Sequence, residues 1–147
     1  MSAVLDSSPS DVVLDTNVFV AAGFNPRSHS ARLVAAVRDG RLRIVWDQPT
    51  RDEIAHVLRQ IPRLSWNSVA DLFREEGRFR GQTRPGEFGH VPDPADRKFA
   101  ALADAAQVPL VTADRGLLAA SADAAIPVLT PVEFARRCGL SDHDVVP

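Results

Sequence analysis

Short aliphatic runs that end in a carboxylate, or lead straight into one, constrain this chain more than any other feature. Asp11-Val12-Val13-Leu14-Asp15 is a brief β-branched and aliphatic run of the kind found in a strand buried on both faces. Leu42 to Trp46, Pro109 to Thr112 and Pro127 to Leu129 read as further strands. Segments with apolar residues at helical spacing lie between them. Leu33, Val34 and Val37 share a face within Ser28 to Arg38, which Gly40 stops in the manner of a C-terminal glycine. Pro49-Thr50 opens a helix with Ile54, Val57, Leu58 and Ile61 inward, and Pro62 closes it. Ser65 to Gly77 is predicted as another helix, with Val69, Leu72 and Phe73 inward. Asp93-Pro94 begins the next, striped by Phe99, Leu102, Ala103 and Ala106, and Asp114 to Ser121 and Pro131 to Cys138 complete the set. Strands alternating with helices predict an α/β fold with a parallel sheet covered on both sides. Residues 78 to 92 carry glycine and proline throughout and read as a long loop.

A chain of 147 residues with 45% hydrophobic content is expected to form one domain around one core. We expect a flexible segment over residues 1–10, the domain over 11–139 and a flexible tail over 140–147. No apolar run approaches the roughly 18 to 20 residues that span a bilayer, and no signal peptide is recognisable, so a cytoplasmic protein without a membrane partner is expected. Cys138 is the single cysteine, which excludes an internal disulfide and a cysteine-built zinc site. The net charge of -2 argues against a strongly basic nucleic-acid binder.

In an open parallel sheet the ligand crevice lies where strands end and helices begin. That rule selects Asp15 at the end of the first strand, Asp114 just after the third, and Glu53 and Asp96 in the first turns of helices. Carboxylates within about 4 to 6 Å of one another raise each other's pKa, and a hard divalent cation such as magnesium relieves that conflict. Each acid also has a purely structural reading. Glu53 can close a capping box with Thr50, Asp93 can cap the helix that Pro94 begins while Asp96 faces its dipole, and Asp114, Asp15 or Asn17 can serve as caps. Singly none decides the matter, but a set of caps has no reason to converge on one sheet edge.

Val12-Val13-Leu14-Asp15-Thr16-Asn17-Val18 resembles the opening strand of PIN domains, an aspartate followed by a small hydroxyl residue and asparagine. Asp93-Pro94-Ala95-Asp96-Arg97-Lys98-Phe99 and Val111-Thr112-Ala113-Asp114-Arg115-Gly116-Leu117 resemble that family's second half, so the likeness runs over residues 11 to 138. Ala113 departs from a frequent glycine, and the central glutamate is the weakest match. The resemblance implies a three-layer α/β/α sandwich with a central, mostly parallel sheet of four or five strands. It also implies one or two Mg2+ or Mn2+ ions held by Asp15, Glu53, Asp96 and Asp114, with Thr16, Asn17, Asp93 and Thr112 in support.

The chemistry so implied is metal-assisted hydrolysis of phosphodiester bonds in single-stranded RNA, which requires no side-chain nucleophile. Setting aside four metal-neutralised carboxylates turns the net charge of -2 into +2, which makes polyanion binding reasonable. Arg74, Arg78, Arg80 and Arg84 are candidate phosphate ligands, with a solvated polar face as the alternative, and Phe79 and Phe88 could stack on bases or belong to a satellite core. The chain looks most like short free-standing PIN proteins regarded as toxins of toxin-antitoxin pairs, which implies RNA, a cognate antitoxin protein and a second copy of the chain as partners. The competing expectations are a non-catalytic PIN-like binding module, a DNA nuclease using the same acids, and a small-ester phosphatase, which would need a phosphate-cradling glycine loop or an aspartate nucleophile motif, whose second aspartate Asp15-Thr16-Asn17-Val18-Phe19 lacks.

Overall fold

The computed structural model describes residues 10–140, and β1 (Ser10–Leu14) runs through the middle of it with Val12, Val13 and Leu14 at most 1% exposed. Complete burial of three successive aliphatic residues requires cover on both faces of the strand. Parallel neighbours flank β1 on either side, β2 (Leu42–Ile44) and β3 (Leu110–Val111), and β4 (Val128–Leu129) follows β3. The strand order β2-β1-β3-β4, parallel throughout, is the sheet that the alternation of strands and helices led us to expect.

Among the described residues, six α-helices accompany this sheet: α1 (Thr16–Phe24), α2 (His29–Arg38), α3 (Gln48–Gln60), α4 (Pro94–Ala106), α5 (Arg115–Ala120) and α6 (Pro131–Arg137). α2 lies on β2 and packs against α1 and α6, whereas α4 lies on β1 and β3 and packs against α3. The chain thus builds outward from β1 in one direction to β2 and in the other to β3 and β4. The reversal falls between β1 and β3, the switch point at which open α/β sheets bind ligands.

Several local expectations are met for the reasons given. Gly40, at φ +83°, follows the last turn of α2 in a left-handed conformation that suits glycine. Leu33, Ile54, Leu58, Phe99, Leu102 and Ala103 are buried, while Val57 and Ile61 are only half-buried. Ser10 pairs in β1, and Leu140 is 3% exposed in the core. The flexible segments expected at the two ends otherwise fall on residues 1–9 and 141–147, outside the described residues.

Other expectations need correction. The helix expected over Ser65 to Gly77 is three separate single turns of 3-10 type, Trp66–Ser68, Ala70–Leu72 and Glu75–Gly77. Val69 (φ -123°, ψ -6°) and Phe73 (φ -87°, ψ 77°) leave helical space between them, in a stretch whose asparagine, serine and aspartate side chains compete for backbone hydrogen bonds. Tertiary contact supplies the rest: the Trp46 N–H donates to the Gly77 carbonyl (3.1 Å) and the Phe79 N–H to the Trp46 carbonyl (2.7 Å), laying residues 77–79 beside the chain that leaves β2. Only glycine permits this approach, because a Cβ on residue 77 would stand 2.0 Å from the Ile44 carbonyl oxygen. Pro85–Phe88 forms one 3-10 turn within the long loop, and Phe79 and Phe88 pack on the core as satellites. α1 was not assigned from sequence, since TNVFVAAGF is too uniformly apolar to show a polar face.

Candidate active site

Asp15 leaves β1 at the switch point and at once becomes the N-cap of α1, its Oδ1 accepting the Asn17 N–H at 2.9 Å. The Thr112 hydroxyl, at the end of β3, donates to the other oxygen, Oδ2, and also accepts the Asp114 N–H at 3.0 Å. Asp114 in turn caps α5 through the Leu117 N–H at 2.7 Å. One buried threonine therefore links the two acids that end the two central strands. The sequence rationale for Thr112 rested on resemblance alone; its geometry now gives a physical one.

Asp96 enters from the first turn of α4, whose cap is Asp93 through the Ala95 N–H at 2.9 Å. The structural reading of Asp93 is thus correct as far as it goes, and it leaves Asp96 unspent. Glu53 differs from its structural reading. The cap of α3 is Asp47, not Thr50; Thr50 sits three residues later as the reciprocal partner of the capping box. The glutamate that was to close the box instead accepts a hydrogen bond from Lys98 Nζ at 3.0 Å, across from α3 to α4. Sequence reasoning missed Lys98. A cation two residues beyond Asp96, near the start of an acid-bearing helix, was the available signal.

Electrostatics tie the set together. Burial pushes Asp15, only 2% exposed, up to about 6, against the hydrogen bonds from Thr112, Asn17 and Val18, and the charge of Asp114 adds to the rise. Asp96 also rises to about 6, first by burial and then by the charges of Asp15, Asp93, Asp114 and Glu53. Asp96 thus feels the charges of acids carried on other segments, Asp15, Asp114 and Glu53, and Asp15 feels that of Asp114. A cavity of about 480 Å³ lies elsewhere, reaching the opening residues of β3 and β4 (Leu110, Val128), and none of these acids lines it.

The residues present suit a hard divalent cation in donor chemistry. Every candidate ligand atom is oxygen, two carboxyls resist ionisation without a counter-charge, and the buried Thr16 hydroxyl oxygen beside Asp15 has no hydrogen-bond partner among the described residues. Among the described residues, no three acid, histidine or cysteine side chains close into a ready-made cage. Magnesium and manganese need none, because magnesium in particular is held by one or two carboxylates together with waters and substrate phosphate.

The four candidate phosphate-binding arginines are placed unevenly. Arg74 is braced inward, donating to the carbonyls of Val37 (2.8 Å) and Arg38 (3.4 Å) at the end of α2. Arg80 pairs with Glu75 and Arg84 with Glu87, both on the exposed surface, where such pairs are worth about 0 to 1 kcal/mol. Arg78 lies with its guanidinium 5.4 Å from the centre of the Trp46 ring.

An open, parallel α/β domain with acids at its switch point has its candidate ligand crevice where strands end and helices begin. A family model described as PIN domain matches residues 11–116, which take in all four acids. The chain belongs to the PIN-domain family, whose fold is a nuclease fold and usually metal-dependent. Among solved structures, PAE2754 from Pyrobaculum aerophilum is similar in fold, with a TM-score of 0.55 and 17% identity over 90% of this chain and 99% of that one. No curated protein matches the sequence. Among the described residues, no helix is long and apolar enough to cross a membrane.

Proposed function

We propose that this protein is a metal-dependent endoribonuclease that hydrolyses phosphodiester bonds of single-stranded RNA. The observation that carries the reading is that Asp15 and Asp96, at the β1/β3 switch point, are held near 6 by burial first and by the charge of neighbouring acids second. Asp15, Asp96 and Asp114 would hold one or two Mg2+ or Mn2+ ions, with Glu53 binding directly or through water. A bound ion supplies a Lewis acid for the phosphoryl oxygens and lowers the pKa of an attacking water.

The chain's own groups prepare that site. Thr112 fixes the carboxylate plane of Asp15 and the backbone that bears Asp114, so neither must reorganise when a ligand arrives. The hydrogen bonds from Thr112, Asn17 and Val18 leave Asp15 lone-pair capacity for a cation. Lys98 holds Glu53 toward α4 and offsets part of the negative field that an incoming phosphate must overcome.

By the likeness to short free-standing members of the family, the protein is further proposed to be the toxin of a toxin-antitoxin pair. A small protein encoded beside it would be the antitoxin, and the chain would act in the cytoplasm, alone or as a homodimer. Growth arrest on expression, relieved by that neighbouring protein, is the result expected. Cleavage of matched single-stranded RNA and DNA with Mg2+ or Mn2+ tests the chemistry. RNA should be cut and Asp15→Asn should abolish cutting while the fold persists. A folded Asp15→Asn variant with full activity would sink the assignment, and preferential cutting of DNA would make the protein a DNA nuclease. Mn2+ should also raise the melting temperature in step with occupancy; no shift at all would favour a non-catalytic binding module.

A further inference from the structure

Arg51, in the second turn of α3, lies with its guanidinium 5.0 Å from the centre of the Trp66 ring and 5.8 Å from that of Trp46. Arg78 approaches the same Trp46 ring at 5.4 Å. Trp46 is 6% exposed and Trp66 5%, and Trp46 is oriented by its indole N–H, which donates to the Arg74 carbonyl at 2.8 Å. Two guanidinium groups are therefore carried by a rigid aromatic platform rather than by carboxylates. Among the described residues neither has an acidic partner, unlike Arg43 on Asp11, Arg80 on Glu75 and Arg84 on Glu87.

The distinction matters chemically. A carboxylate neutralises an arginine and occupies the donor edge with which it would grip a phosphate. An aromatic face attracts the cation through its π cloud and leaves the in-plane N–H donors unspent. Side chains already ordered in this way lose less entropy when they bind.

Position supplies the second part of the argument. The β1–β2 register pairs Val12 with Ile44, so Trp46, two residues past β2, and Asp15, one residue past β1, leave the parallel sheet at the same end. α3 starts immediately after Asp47, so Arg51 and Glu53 both lie within its first two turns, Arg51 over the indole rings and Glu53 reaching across to Lys98 on α4. The end of the sheet that bears the acids thus also carries, on its β2 side, a pair of unneutralised, pre-ordered cations.

We propose that Arg51 and Arg78, seated on Trp46 and Trp66, form a clamp for the phosphate backbone of a single-stranded nucleic acid that enters the acidic rim from the β2 edge. The clamp rests on the nuclease reading for its substrate class, but it makes its own prediction. It gives the polyanion a foothold beside a site whose own field repels it, and that foothold is independent of base identity.

Equilibrium binding of a fluorescently labelled single-stranded RNA to the Asp15→Asn protein, measured by anisotropy from 50 to 200 mM salt, tests it. Arg51→Gln and Arg78→Gln should each weaken binding several-fold and lower the salt slope by about 0.7. Arg51→Lys keeps the charge and should keep the slope, which a merely structural role for the stack would not produce. In the active protein, Arg78→Gln should raise KM several-fold with much less change in kcat. Should Arg51→Gln fail to fold, Arg51→Lys and the exposed Arg78→Gln carry the test. Unchanged affinity and slope in both Gln variants would overturn the clamp and leave the nuclease reading standing. Binding that weakens as expected in a protein that never cleaves RNA would support the clamp and overturn the nuclease. Failure of the unsubstituted clamp to bind RNA at all would overturn both.

Discussion

Thr50-Arg51-Asp52-Glu53 and Thr130-Pro131-Val132-Glu133 have the same threonine-to-glutamate spacing, yet the protein uses the two glutamates differently. At α6, Thr130 is the cap: its hydroxyl oxygen accepts the Glu133 N–H (3.1 Å), and the Glu133 carboxylate accepts the Thr130 N–H (2.9 Å). The glutamate is used up locally. At α3 the chain stays extended through Trp46, bonded to Gly77, and turns at Asp47, so the cap falls three residues earlier and Thr50 takes the reciprocal place. Glu53 is thereby released from capping and reaches Lys98 and the other acids. A capping motif read from sequence marks a helix start; the register of that start decides whether its carboxylate is spent or available.

The largest contrast should appear in activity. Glu53→Gln is expected to cut RNA cleavage about 10- to 100-fold, whereas Glu133→Gln should leave it within about twofold; equal losses in steady-state assays would erase the distinction between the two helix starts. Next comes stability against pH. A carboxyl held near 6 keeps its proton in the fold where the unfolded chain, with a value near 4, has already released it. The native state then binds more protons, so metal-free stability should fall as pH rises from about 4 to about 6 and remain low above. Asp15→Asn, which retains a capping oxygen, should remove much of this slope and gain as much as ~3 kcal/mol at pH 8. Urea titrations at pH 5 and pH 8 without metal measure it, and a variant no more stable than the parent at pH 8 would contradict the burial of a reluctant charge.

Asp47→Ala should cost about 1 kcal/mol and tempt Thr50 to become the cap. Glu53 would then be drawn into a box like that of α6, and activity should fall with it; a stability loss with untouched activity would show that the register of α3 is held by packing alone. The smallest effect is expected at α6, where Glu133→Gln should lower stability by no more than about 0.5 kcal/mol, because glutamine still serves the capping box.

Much of the architecture was legible because its signals are local. The aliphatic runs of β1 to β4 report burial on both faces, and the apolar spacing of α2, α3 and α4 reports a single buried face. α1 has no legible period, since every residue from Val18 to Phe24 is apolar or glycine, and the turns over residues 66–77 resemble a helix in sequence because Leu72 and Phe73 point inward from irregular backbone as well as from regular. Asp15 and Asp114 could be nominated from strand ends. Lys98 and Arg51 could not, because a partner across helices or a seat on two indole rings has no mark in the linear chain.

Sequence by itself determined the layer order, the family likeness and which acids were worth suspecting, since each follows from side-chain polarity within a few residues. Only the tertiary structure decided that those acids share one electrostatic field, that Thr112 joins two of them, that Glu53 is free of its cap, and which arginines keep their charge unspent. Those properties depend on distances between segments remote in sequence, and Coulomb and hydrogen-bond energies are set by such distances rather than by composition.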